Sequence, residues 1–287
     1  MQKPDSKHYD PEKFWAERYS KVDVTRSGHI DLPPEYNLWL YRTKKEYLLK
    51  MLRTQGFEPR GASVLEIATG SGVYVQMWKD LGIRRLVGID ISEAASAAVR
   101  TRFPEFQFHQ CDLSAPGLVD IVGSGFGLVT AVDMLYHIID DDAFERSLAN
   151  LAAATAPGGL LAIHDVFMDE TESHHGYMRL RVRADYEQAL KRAGFEVLSH
   201  QPTFFTAVQW LKFGSPRAKR IHAQVWRSVM DRLLPRAPGA AGAMTYAIDR
   251  ALGVFKRRPV VRDDDLPKVG LTLTLRFAAV RGGIAQG

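Results

Sequence analysis

The sequence predicts an α/β protein with a doubly wound, mostly parallel sheet. Three observations carry that expectation. From Ser63 onward, short apolar runs alternate with helical stretches, the rhythm of parallel strands joined by crossover helices. A small-residue turn, Ala68-Thr69-Gly70-Ser71-Gly72, follows the first run and opens a helix, as a ligand-binding loop does. Finally, 287 residues with 46% hydrophobic and 25% charged side chains suffice for a large buried core, which excludes disordered and fibrous classes.

Residues 1–60 read as two amphipathic helices, the first with Phe14, Trp15 and Tyr19 on one stripe and the second with Trp39, Tyr41, Leu48 and Leu49, separated at Ser27-Gly28 and Pro33-Pro34. They form a helical cap before the core, which spans 61–202 and 269–283. The strands are 63–67, 86–90, 106–110, 126–132 and 159–165, then roughly 195–201, with 271–280 as an antiparallel seventh strand before the end of the sheet domain. Ser92 is a helix N-cap, the helix that opens at Asp141-Asp142 closes at Pro157-Gly158-Gly159, and Gly194 is a C-cap. Residues 203–268 form a helical insertion before the last strand, with helix-like stretches near 216–234 and 240–258. This insertion holds 13 Lys and Arg against 5 Asp and Glu, so the basic excess of the chain, +5 overall, resides there.

No window approaches the roughly 18 consecutive apolar residues of a membrane helix, and the first residues lack the apolar centre of a signal peptide, so a cytoplasmic location is expected. Cys111 is the single cysteine, which excludes an internal disulfide, and no Cys/His spacing fits a metal site.

Three acids stand at successive strand ends. Glu66 precedes the small-residue turn, where a carboxylate attracts an amine or sulfonium and repels a pyrophosphate. Asp90 lies 24 residues on, at the end of the second strand, where it can accept both hydroxyls of a ribose. Asp112 ends the third strand, in reach of an adenine amino group. Together they describe a cationic nucleoside.

At this point the sequence resembles the class I S-adenosylmethionine-dependent methyltransferases, over roughly residues 60–201 plus the last strand. The resemblance implies S-adenosylmethionine as cofactor and S-adenosylhomocysteine as product. It sets Glu66, Ala68, Gly70 and Gly72 of LEIATGSG around the methionine end, Asp90 and Ile91 of LVGIDIS at the ribose, Asp112 and Leu113 of HQCDL at the adenine, and Asp133 and Met134 of VDMLYHI at the mouth of the site. Ala68 departs from the family's loop, which has glycine there. FWAERY and WLYR resemble the family's lid, with Tyr41 or Arg42 reaching the cofactor carboxylate.

For catalysis, transfer to a hydroxyl requires a base, and histidine is the usual one. His137 is the first candidate, with Tyr136 orienting the acceptor; His164 with Asp165 is the second. Tyr19, His174, Arg179, Phe205 and Trp210 are candidates for the acceptor site, and the tandem His174-His175 reads as an exposed loop. The expected activity is methyl transfer to a small-molecule acceptor, most readily at oxygen, by a monomer or homodimer. Alternatives are a cofactor-binding protein without transfer, of cyclase or isomerase type, and an RNA- or lipid-directed enzyme using the basic insertion. No RNA-binding module accompanies the core, which weighs against nucleic acid.

Overall fold

The computed structural model describes residues 9–19, 28–29, 32–166, 171–174, 176–203, 211–213, 220, 223–224, 226–251, 271–273 and 275–282. Two helices come first. In α1 (Pro11–Arg18), Asp10 accepts from the Lys13 N–H at 3.1 Å and proline takes the first turn, where no donor is lost. In α2 (Pro34–Thr54), buried Tyr36, Leu40, Tyr41, Tyr47, Leu48 and Met51 recur at helical spacing.

The core then alternates as expected: β1 (Ser63–Ile67), α3 (Val73–Asp80), β2 (Arg85–Asp90), α4 (Glu93–Arg102), β3 (Gln107–Gln110), α5 (Leu118–Val122), β4 (Phe126–Val132), α6 (Asp141–Ala154) and β5 (Thr155–Val166). A hairpin of β6 (Glu172–His174) and β7 (Met178–Leu180) leads to α7 (Arg183–Arg192) and β8 (Phe195–Pro202). Later come β9 (Leu211–Phe213), a π-helical turn at Ser228–Leu233, α8 (Pro238–Ala251), β10 (Leu271–Leu273) and β11 (Leu275–Gly282).

The main sheet has the order β3-β2-β1-β4-β5-β11-β8. Its first five strands pair in parallel, and β11 runs antiparallel to both neighbours. The strand order reverses between β1 and β4, the switch point where open α/β sheets bind ligands beyond the carboxyl ends of the strands. One face packs Leu65, Ile67, Val129 and Leu161 under Leu148, Leu151 and Leu190 of α6 and α7. The other packs Val64, Leu86 and Leu128 under Leu48, Met51, Trp78 and Phe103 of α2, α3 and α4. Each buried Leu, Ile or Val contributes about 1.5–3 kcal/mol, so burial on both faces holds the strand ends in register.

Three expectations change. The helix after β4 ends at Ala154, and Thr155 already pairs with Phe126 across β4, so Pro157-Gly158-Gly159 falls within β5. The alternating stretch 271–280 divides in two: Leu275 lies opposite Val166, the last residue of β5, so the preceding residues have run past the sheet and β10 pairs with β9 instead. His174 belongs to a strand, opposite Met178, rather than to a loop. Of the helix-like stretches near 216–234 and 240–258, the described parts hold the π-helical turn and α8, while Phe205 and Trp210 lie outside the described residues. Among the described residues, no helix is long and apolar enough to cross a membrane.

Candidate functional site

A cavity of about 320 Å³ opens over the carboxyl ends of β1, β2, β3 and β4 and under α1 and α2. Its floor is the turn after β1. There Thr69 N–H donates to Ile89 O at 3.1 Å, and Gly70 N–H to Asp90 Oδ2 at 2.8 Å, which binds the turn to the end of β2. Gly88 permits this approach, since a Cβ on it would stand 2.5 Å from Thr69 Cγ2.

Ala68, on the cavity wall, has a φ of +57°, in the left-handed region. An L-residue pays roughly 1–2 kcal/mol there, and glycine gives back about 0.5–1 kcal/mol in unfolded-chain entropy. Ala68→Gly is therefore expected to stabilise the protein by up to about 1 kcal/mol, read as a higher denaturation midpoint.

Asp90 is 4% exposed and lines the cavity. Its Oδ1 accepts from Ser92 N–H at 2.9 Å, so each oxygen keeps one lone pair for a ligand hydroxyl. Burial raises its carboxyl to about 6, against the pull of the two backbone N–H groups. Asp112 is exposed at the neighbouring strand end, and its Oδ1 accepts from Ser114 N–H and Oγ at 2.8 and 2.9 Å. Ile91 and Leu113 stand beside these acids as apolar wall.

Across the cavity, Asp133 follows β4 with a φ of +55°. Its Oδ2 accepts from Lys44 of α2, and its Oδ1 lies 2.5 Å from His164 Nδ1. Burial pushes this carboxyl up, but Lys44 and His164 outweigh it and hold it well below the usual carboxylate range. His164 Nε2 lies 2.9 Å from Thr203 Oγ1, so a neutral ring donates from Nδ1 and accepts at Nε2.

His137 stands in the 3₁₀ turn Leu135–His137, with Nδ1 3.1 Å from the Tyr177 carbonyl. A carbonyl only accepts, so Nδ1 carries the proton and Nε2 presents a lone pair. The ring is stacked on Tyr177 at 5.6 Å and meets the edge of Trp15 at 4.9 Å, and burial lowers it to about 4. Tyr136, Met134, Tyr19 and Tyr41 complete this aromatic end of the cavity.

The cavity also holds hydrogen-bonding groups in want of a partner. Thr69 Oγ1 and Tyr74 Oη are buried with none among the described residues, and both residues line the wall. Acids at one end, unsatisfied hydroxyls in the middle and an ion pair at the other fit a nucleoside that carries an amino acid.

A family model described as a methyltransferase domain matches residues 36–200. The chain belongs to the class I S-adenosylmethionine-dependent methyltransferases. S-adenosylmethionine is the cofactor. Two relatives and one solved structure are similar to the chain. It is 30% identical over 44% of its length to a tRNA U34 carboxymethyltransferase of Dichelobacter nodosus, spanning 39% of that protein. A Mycolicibacterium smegmatis protein, named as a probable S-adenosylmethionine-dependent methyltransferase, is 26% identical over 74% of this chain and 80% of its own. The crystal structure of the cyclase SpnF shares the fold with a TM-score of 0.54 at 13% identity, covering 98% of this chain and 97% of that one.

Several residues assigned to the site from sequence lie elsewhere in the methyltransferase. Glu66 is 1% exposed and does not line the cavity wall; Trp78 Nε1 of α3 donates to its Oε2 at 2.8 Å and Thr130 Oγ1 also donates. Gly72 is the left-handed N-cap of α3, where a Cβ would meet Phe103 at 2.8 Å, and Gly70 serves through its bond to Asp90. Arg42 lies on the outer face of α2, paired with Glu46 and over the Trp39 and Tyr246 rings. His164 has both ring nitrogens engaged. Asp165, its neighbour on β5, faces the other side of the sheet, as successive strand residues must, and is bound by Tyr186 and Val166 N–H. Arg179 pairs with Asp141 at 2.6 Å, outside the cavity wall. His174 is placed by its backbone alone.

Sequence reasoning missed Lys44, Thr69 and Tyr74. Lys44 had a readable signal: it stands one turn beyond Leu40 and Tyr41, a cation within the apolar stripe of α2.

Proposed function

We propose that this protein transfers a methyl group from S-adenosylmethionine to a hydroxyl of a small molecule. The observation that carries the reading is His137: a neutral imidazole held in one tautomer by Tyr177, with Nε2 as acceptor, on the wall of an aromatic-lined cavity shared with Asp90. A concave, mostly apolar pocket with a few convergent polar groups is the usual form of a small-molecule site, which favours a compact acceptor.

Asp90 would hold the ribose hydroxyls and Asp112 the adenine amino group. The bound cofactor supplies a methyl group on a sulfonium. Trp15, Tyr19 and Tyr136 align and desolvate the acceptor, which matters because charge disperses during the transfer. His137 Nε2 takes the hydroxyl proton as the C–O bond forms. The C–S bond breaks with its electron pair going to sulfur, so positive charge leaves the sulfonium and ends on the imidazole, which is why a base weakened by burial can serve. Residues 1–60 act as the cap and 203–268 as a lid over the acceptor; in support, Val229, Leu234 and Ala241 pack with Tyr36 and Leu40 of α2.

The test is calorimetric titration with S-adenosylmethionine and S-adenosylhomocysteine, then mass spectrometry of acceptors spanning phenols, hydroxy acids, sugars, amines and tRNA. Cofactor binding with one methyl gained on a small hydroxyl compound is the expected result. Product formed without cofactor consumption would establish a cyclase or isomerase, and methylated tRNA would overturn the small-molecule acceptor. In the same titration, Asp90→Ala is expected to weaken cofactor binding by roughly 2 kcal/mol, the value of a charge-assisted hydrogen bond; unchanged affinity removes Asp90 from the ribose.

A further inference from the structure

We infer that the acceptor is a phenol, an uncharged and planar ring whose hydroxyl meets His137. The inference rests on the hydroxyl transfer proposed above and names the class of molecule that presents the hydroxyl.

The wall around His137 is aromatic. Trp15 meets the imidazole edge-on with ring centroids 4.9 Å apart, and Tyr136 stands tilted to it at 4.4 Å. Tyr19 stacks on Trp15 at 5.9 Å. All three line the cavity, and Trp15 and Tyr136 are only half-buried, so ring surface is left for a ligand to cover. Phe14 and Tyr177 stack on each other at 5.0 Å outside the cavity wall, and Phe14 meets Trp15 at 5.2 Å, which backs the indole. Such a surface gains most from another aromatic ring, which makes edge and face pairs that a saturated ring does not. Leu40, Val166 and Met178 share the cluster of Tyr136 and also line the cavity. A sugar would set several hydroxyls against these aliphatic side chains, which offer no partner.

Charge narrows the class further. Among the described residues, Lys44 is the one Lys or Arg on the wall, and Asp133 pairs with it, while Asp90, Asp112 and Asp140 stand there as well. The cofactor brings one net positive charge, too little to reverse that balance. A carboxylate or phosphate on the acceptor therefore meets acids and no cation of its own.

The base agrees with this choice. His137 Nε2 has no hydrogen-bond partner among the described residues, and burial lowers the imidazole to about 4. Protons pass most readily between groups of matched acidity. A phenol ionises at about 10, as tyrosine does, whereas an alkyl hydroxyl is close to water, at about 16. A weak base therefore selects the more acidic hydroxyl. As the phenol oxygen takes the methyl group, its proton passes to Nε2 and the C–S electron pair stays on sulfur, so atoms and charge balance.

Calorimetry on the protein saturated with S-adenosylhomocysteine tests this with four probes of similar size: para-cresol, methylcyclohexanol, para-hydroxybenzoate and para-toluidine. The cresol is expected to bind roughly tenfold tighter than methylcyclohexanol and para-hydroxybenzoate, since contacts with two rings are worth about that factor. Trp15→Leu is expected to lose this advantage while leaving methylcyclohexanol and S-adenosylhomocysteine within about twofold, and Trp15→Phe to keep most of it. With S-adenosylmethionine, mass spectrometry should then show one methyl gained on the cresol. Equal binding of para-cresol and methylcyclohexanol, or tighter binding of para-hydroxybenzoate, would overturn the inference. Preferred transfer to para-toluidine would do the same by moving the accepting atom to nitrogen. Transfer to methylcyclohexanol but not to para-cresol would remove the phenol and leave hydroxyl transfer standing, whereas no methyl gained by any hydroxyl compound would remove hydroxyl transfer itself.

Discussion

His137→Gln is expected to lower turnover by about 10²-fold, the lower end of what a positioned base supplies, while cofactor affinity changes by no more than about twofold. Glutamine can still donate to the Tyr177 carbonyl, so the turn and the aromatic stack around it persist, but its side chain cannot take a proton. The separation of kcat from cofactor affinity is the decisive readout, because His137 lies at the aromatic end of the cavity, across from Asp90 and Asp112. The pH dependence gives a second check. Burial lowers His137 to about 4, and a bound sulfonium disfavours the imidazolium further. The base is thus unprotonated above that value, and turnover with saturating cofactor should lose activity only at about pH 4 or below, rather than through the usual histidine range. A variant with full turnover would remove His137 from the reaction; an acid limb near neutrality would assign the base to another group.

What the sequence disclosed and what it hid divide along a physical line. The strand–turn–helix order, Ser92 as a cap and Asp90 and Asp112 at strand ends depend on near neighbours in the chain, and local patterning displays them. Whether a strand-end acid faces the ligand depends on what packs on each face. Glu66 shares the face of Val64, under Trp78, so the same residue that marks the family loop is turned into the core. The pairing of His164 with Asp133 rather than with adjacent Asp165 follows from strand alternation, which was available, but Asp133 lies 31 residues away. Lys44 meets its partner across 89 residues. The β6–β7 hairpin has three residues per strand, too few for a period to show, and yet it supplies the carbonyl of Tyr177 that fixes the tautomer of His137.

Glu66→Gln is expected to separate the family pattern from the structure. Burial raises the Glu66 carboxyl from 4.5 to about 7, against the hydrogen bonds from Thr130 and Trp78. The folded state therefore holds this proton more tightly than the unfolded chain. Between those two values the native protein binds more protons than the unfolded one, so the contribution of Glu66 is fully present below pH 4.5 and is lost as pH rises through about 7. The full loss is about 3 kcal/mol. Glutamine can accept from Trp78, donate to Thr130 and does not titrate. Near pH 5 the two proteins should be close in stability, and by pH 8 the variant should be the more stable by up to about 3 kcal/mol, seen as diverging urea midpoints. Groups common to both proteins, Asp90, Asp165 and His137 among them, cancel in the difference. Cofactor affinity should barely change, because the Glu66 carboxylate is buried and held by Trp78 and Thr130. Parallel stability curves would mean that Glu66 is solvated, and a tenfold loss of cofactor affinity would return it to the ligand.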